Sequence, residues 1–543
     1  MTDATMDSPP VSGPPPGAPS GGEGGYSKER VSAWFSRALP DFTNPVLVKE
    51  VRQAQRGKVF SVTLIVTLIL AFFGATAAAL QIERDYFSGS PGQEFFTSVY
   101  SFFNIAVLVV VPFQAFVSMG AEHDDNTFEM LVLSNLKPRQ IVMGKIAAAL
   151  TQGLMFGLTF LPFVVTAFLL RGVDLTVLLL ILGLTAFGSA VMTTFAVMLS
   201  AIVRKRLLRV LTMVALAGIL FGLVPMSLAV CYEWFRSPEL FGEPAFYAVL
   251  TQSVLFTTVA MALFFAIACN MLAHEEENRS TNIRVAVTLL CLITAGAAAY
   301  NVTAFSMGAG MPREVVHALG VAGLFTLTVF CIFFVLEPDR LGRRVEPSIP
   351  RNKLVALAVS PWLPGGNRGV LFAGLHISLF ALLIIVIAIP GSSYRFMGTV
   401  SAARGPLFPG GWAVLAAALY CLLYALAPAV FLRRLQGTPG KRNAARLIAL
   451  SMPLLTMFIP TIFGLFIDDR DMQEFKHVGN PGWLIDKSWG SHGFRPMAAA
   501  FFVAGAVALL GALSLSRVVR GFGEVLTASR ANVQRRRDTR TAA

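Results

Sequence analysis

Charge is what this sequence holds least of. Asp, Glu, Lys and Arg make up 14% of its 543 residues, against 55% apolar residues, and mean hydropathy is +0.65. Soluble domains are about one-quarter charged, so a chain this apolar cannot cover itself with a polar surface and must take the bilayer as solvent. Acids are scarcer than bases, leaving a net charge of +13. The bases do not gather into the single patch a nucleic-acid surface needs. They fall in short clusters between apolar runs, and nucleic acid is excluded as a partner. Paired cysteines are missing as well: Cys231, Cys269, Cys291, Cys331 and Cys421 each sit within or at the end of an apolar run, without the spacing of a metal site or a disulfide framework. The six histidines form no ligand cluster. No resident metal or cofactor is expected, and no catalytic residues are assigned.

A phosphate-binding loop is also lacking. Such a loop needs Gly-x-x-x-x-Gly-Lys-Ser/Thr, so that backbone amides cradle phosphate and the hydroxyl holds magnesium. Gly437-Thr438-Pro439-Gly440-Lys441-Arg442 comes nearest and fails in both spacing and hydroxyl. Residues 1–25, rich in Pro, Gly and Ser, hold no apolar core of a signal peptide and read as a disordered tail.

What the chain does have is apolar runs. Crossing the hydrocarbon core takes roughly 20 mainly apolar residues. Candidate spans fall near 59–80, 97–117, 146–170, 175–203, 210–231, 245–273, 285–304, 316–336, 369–390, 411–432, 447–467 and 496–516. The fifth and seventh are the weakest, where a re-entrant helix would leave the same trace. The expected fold is therefore an all-α polytopic membrane protein of about twelve transmembrane helices. With the N-terminus inside, 34 of the 44 Lys and Arg residues fall in cytoplasmic segments, leaving 10 for the other side. That asymmetry puts both termini in the cytoplasm. Well inside the spans, His376 is the one ionisable side chain, and a packed imidazole is expected there rather than a relay. Ion-coupled transporters keep charge at membrane depth, so energy for any transport is expected from outside the membrane domain. Haem ligation by paired intramembrane histidines is excluded.

Two segments carry more information. Before the first span, Asn44-Pro45 opens a stretch in which Leu47, Val51 and Ala54 share one helical face and Lys49, Arg52 and Arg56 another. This is an amphipathic juxtamembrane helix within residues 26–58. Between spans 2 and 3, Glu122, Asp124, Asp125 and Glu129 break the basic trend, and Pro138 follows. Acids at its start suit a short helix, ended by Pro138 and joined stiffly to span 3.

Together the two segments resemble the permease subunits of ATP-binding cassette exporters of the type-2 class. The resemblance rests on Asn44, Pro45, Lys49, Glu50 and Arg52, then on Glu122, Thr127, Glu129, Leu131, Pro138, Gly144 and Lys145. It covers roughly residues 40–150, and departs at Asn126, where the family commonly has Gly. It implies that the span 2–3 loop is a coupling helix docking on a separate nucleotide-binding ATPase subunit through Glu122, Thr127, Glu129 and Leu131, with Pro138 and Lys145 leading into span 3. Asn44, Pro45, Lys49, Glu50 and Arg52 would brace the membrane rim beside it. ATP and magnesium would then belong to the partner subunit, the lipid bilayer would surround this chain, and the compartment would be a bacterial inner membrane.

A major facilitator is the rival reading, since twelve spans fit it too and Asp339-Arg340-Leu341-Gly342-Arg343-Arg344 looks like that family's loop signature. Against it, Val335 stands where that signature has Gly, the span 2–3 loop lacks the signature, and the spans lack coupling charge. A non-transport membrane scaffold is the third reading. By layout the chain divides into six-span units, 59–273 and 274–516, followed by a basic cytoplasmic tail, 517–543, read as surface-bound helix or disorder. Two such units would supply both halves of a pathway, and a second permease chain stays open as a partner. The uncharged spans favour a hydrophobic cargo.

Overall fold

Prolines and short polar caps mark where the apolar runs begin to coil. Pro45, Pro91, Pro138 and Pro244 each stand first in a helix, where a missing N–H costs nothing. Asp174 and Asn352 cap two others, accepting from the amides of Thr176 at 2.8 Å and Leu354 at 3.0 Å. The computed structural model describes residues 45–84, 90–124, 137–170, 172–203, 206–273, 278–306, 313–339, 341–342, 345–388, 409–432, 439–466 and 494–541.

The helices run in the order α1 (Pro45–Arg56), α2 (Lys58–Arg84), α3 (Pro91–Asn104), α4 (Val111–Asp124), α5 (Pro138–Leu169), α6 (Leu175–Ile202), α7 (Arg206–Arg236), α8 (Pro244–Leu272), α9 (Thr281–Ser306), α10 (Arg313–Val335), α11 (Lys353–Val359), α12 (Gly366–Ala388), α13 (Pro409–Phe431), α14 (Pro439–Phe466) and α15 (Phe494–Thr541). No strand occurs among the described residues. Eleven helices there are long and apolar enough to cross a membrane, and the chain is an all-α polytopic membrane protein. The eleventh expected segment, 447–467, falls on α14. Spans 5 and 7 are full helices, Arg206–Arg236 and Thr281–Val302, not short re-entrant ones.

Span 2 is α3 and α4 joined through a π-helical stretch, Ile105–Val110. Such a stretch loosens the regular backbone bonding. Here the Ser189 hydroxyl of α6 donates to the Val107 carbonyl at 2.7 Å, and Ser200 does the same for Phe116 at 2.9 Å. Both bonds tie span 2 to α6.

Two large apolar cores form among the described residues, with four smaller clusters beside them. One draws on Val46 through Leu272, with Phe95, Phe103, Ile141, Phe156 and Leu178 at its centre. The other runs from Leu263 to Leu510, around Leu324, Phe372, Ile377 and Cys421. Among the described residues, the two halves meet chiefly through α8 against α9.

Three expectations shift. Span 3 begins at Pro138 rather than near 146, so Pro138 opens that helix instead of ending the one before. The 3-residue-later Gln140 side chain accepts from the Lys137 amide at 3.0 Å and fixes the start. Span 2 begins at Pro91 rather than near 97. The basic tail is no separate segment: span 12 continues as one helix of 48 residues. Its continuation is held by a small core of Val345, Ile349, Ala356, Leu363, Val525 and Ala528.

Candidate functional site: buried ion clusters at one end of the bundle

The inner face of α1 is set by Val46, 4% exposed, and by Glu50 one turn later, both turned toward α5. Lys49, Arg52 and Arg56 lie on exposed positions, while Leu47, Val51 and Ala54 are half-buried, as the helical spacing predicts. Burying a carboxylate on that face requires a partner, and Lys145 provides it. Lys145 Nζ donates to Glu50 Oε1 at 3.0 Å and to Ser118 Oγ at 3.1 Å, while the Ser118 hydroxyl donates to Glu50 Oε2 at 2.9 Å. The lysine side chain is 1% exposed and the glutamate 12%. Three helices, α1, α4 and α5, are thereby pinned at one point. Beside it, Arg209 of α7 donates to the Gly120 carbonyl at 3.1 Å.

Pro45 and Pro138 each occupy the first position of their helices. Gly144 is buried next to Lys145. Glu122 lies in the last turn of α4. Asn44, Thr127, Glu129 and Leu131 lie outside the described residues, as do Arg340, Arg343 and Arg344.

A second cluster ties the ends of spans 7, 8, 9 and 12. Arg284 of α9 is fully buried and donates to the carbonyls of Pro361 at 2.8 Å, Leu363 at 2.6 Å and Gly365 at 3.1 Å. It also pairs with Glu337 at 2.8 Å. Glu337 in turn accepts from the Gly365 amide at 3.0 Å. The Arg284 guanidinium sits 5.0 Å from the Phe334 ring centroid, where the ring face favours a cation. Asp339 accepts from the Asn367 amide at 3.0 Å and from Arg517 at 3.3 Å. Arg517 also donates to Asn367 Oδ1 at 2.9 Å and to the Ala429 carbonyl at 2.8 Å. Arg368 pairs with Glu524 at 2.9 Å and reaches the Pro364 carbonyl.

Glycines make this crossing possible. Gly365 has a φ of 131°, which L side chains rarely adopt, and a Cβ on Gly369 would collide with the Phe334 carbonyl. Alternation of the spans puts both ion clusters at the same end of the bundle.

Sequence reasoning counted Arg284, Arg368 and Arg517 only as basic residues of loops and tail. Their signal was faint: each stands within a turn of an apolar run. His376, by contrast, meets its expectation. It is 6% exposed, stacks on Phe372 with ring centroids 3.7 Å apart, and places Nδ1 3.0 Å from the Phe372 carbonyl and Nε2 2.8 Å from Thr288.

The clusters hold fixed, paired charges suited to clamping helix ends. Among the described residues no three His, Cys, Asp or Glu side chains gather to hold a metal ion. Comparison with protein-family profiles, with curated proteins and with solved structures finds no match.

Proposed function

We propose that the chain is the membrane-spanning permease subunit of an ATP-binding cassette exporter, moving a hydrophobic substrate with energy from ATP hydrolysed on a separate subunit. The observation that carries this reading is the Glu50–Lys145 pair. The two sequence segments that together suggested the family supply, from positions 95 apart, the two ends of one buried ion pair. A force applied to the span 2–3 loop enters α5 at Pro138. It reaches α1 and span 2 through Lys145 within two helical turns, so these helices move as one body. The excess of Lys and Arg on the alternate loops supports a cytoplasmic side for the clustered end, where an ATPase would dock. Glu122, Thr127, Glu129 and Leu131 are the proposed docking residues.

The test is a mild-detergent purification of the tagged chain from its native membrane, with identification and ATPase assay of co-purifying proteins, beside a Glu129→Arg variant. A nucleotide-binding subunit that accompanies the native chain and is lost or uncoupled in the variant supports the reading. A native chain that emerges alone and without ATPase activity, under conditions that preserve known complexes, refutes it.

A further inference from the structure

Between the two halves the helices do not close. Spans 6, 7, 8 and 9 (α8, α9, α10 and α12) frame a half-open cavity of 590 Å³ between them. This volume lies within the range of small-molecule pockets, about 300–1,000 Å³. Its walls are apolar and uncharged, with Phe256, Leu290, Cys291, Leu327 and Phe380 among them. A mainly apolar cleft with such walls, open toward a bilayer, takes up hydrocarbon in preference to water.

The polar groups decide what heads that hydrocarbon. Ser253, Thr257, Thr294 and Thr326 also line the cavity, but each hydroxyl donates to the carbonyl four residues earlier in its own helix. What remains is an amide pair: Asn301 Nδ2 donates to Gln252 Oε1 at 3.2 Å. That bond leaves the Gln252 amide protons as donors and Asn301 Oδ1 as an acceptor. Both residues sit toward the end of their helices far from the ion clusters.

From this we infer that the cavity is a lipid site, holding the acyl chain of a neutral acylglycerol. The ester carbonyl meets the Gln252 amide and a glycerol hydroxyl donates to Asn301. An anionic head finds no lining cation to neutralise it. The site goes beyond the transport reading and does not depend on it, because occupancy requires neither ATP nor a partner.

The probe is a monoacylglycerol with a diazirine at the chain end, photolysed with the full chain in phosphatidylcholine nanodiscs. Adducts are mapped by mass spectrometry. The expected result is saturable labelling on α8, α9 and α10, displaced by unlabelled monoacylglycerol. Gln252→Leu and Asn301→Leu should each weaken apparent affinity roughly 5-fold, the worth of one hydrogen bond. Ala297→Trp, which puts bulk into the cavity wall, should abolish the label while thermal unfolding shows an intact fold. If Ala297→Trp fails to fold, the two leucine variants decide the matter alone. Labelling that never saturates and spreads to lipid-facing residues such as Phe72 and Phe73 means annular lipid only and overturns the inference. So does equal, Gln252-independent labelling by a diazirine fatty acid anion.

Discussion

Replacing Lys145 by Met should destabilise the first half of the molecule severely, and replacing Glu50 at the same time should restore it. The ammonium and the carboxylate are 1% and 12% exposed and lie 3.0 Å apart. Removing one partner of a buried pair costs about 3–5 kcal/mol, because the other charge is left without solvent or counterion. For a unit of about 150–250 residues, each kcal/mol moves the melting temperature about 2–4 °C, so Lys145→Met should lower it by roughly 6–20 °C. Glu50→Leu should cost more, since it strands the more deeply buried of the two charges. In the double variant Glu50→Leu/Lys145→Met neither charge remains, and the Ser118 hydroxyl can turn to a carbonyl of its own helix. Apolar replacement of a whole buried pair is close to neutral, so with two single losses of that size the coupling energy should be on the order of 6–10 kcal/mol. Thermal unfolding in detergent, followed by fluorescence-detected size exclusion, reads all four corners of the cycle. Additive losses, or a Lys145→Met variant within about 2 °C of the native chain, would refute the argument.

Arg284→Lys should behave like a loss of the whole side chain, with folded yield falling toward zero on size exclusion. A single ammonium cannot span the carbonyls of Pro361, Leu363 and Gly365 and still reach Glu337. Two glycines of α12 make a matched pair: Gly369→Ala should cost more than about 2 kcal/mol, because its Cβ meets the Phe334 backbone. Gly374→Ala, whose Cβ meets nothing, should be neutral or stabilising by up to about 1 kcal/mol in the same melting assay.

The spans were legible because hydropathy alone dictates them: a run such as 59–80 has no other stable solvent. Even the doubtful fifth and seventh segments are full helices. Most ends fall within a few residues of the expected ones, as at Leu175–Ile202 and Pro244–Leu272, but those that carry buried charge were not legible, for one physical reason. A charge beside an apolar run reads as the start of a loop, yet Lys145, Arg284, Arg368 and Arg517 are buried inside helices because acids from distant segments neutralise them. Asp339 and Arg517 are 178 positions apart, and no local pattern announces such a meeting. Glu50 and Lys145 were both picked out, but as separate motif members; their pairing needed the fold. The extension of span 12 was missed similarly, since the apolar residues that dock it, Val525 and Ala528, are too sparse among the arginines to read as a buried face.

The single helix α15 gives the molecule a strut. At 1.5 Å per residue its 48 residues span roughly 72 Å, more than twice the hydrocarbon thickness of about 30 Å. Arg517 and Glu524 fasten it to the ends of spans 8 and 9, and Ser529 and Asn532 fasten it again to the carbonyls of Arg351, Glu346 and Ile349. The stretch between Arg517 and Asn532 measures about 22 Å on the same rise. Held at both places, it transmits rather than swings: a shift of span 12 along its axis carries the segment around Glu346 and Ile349 with it.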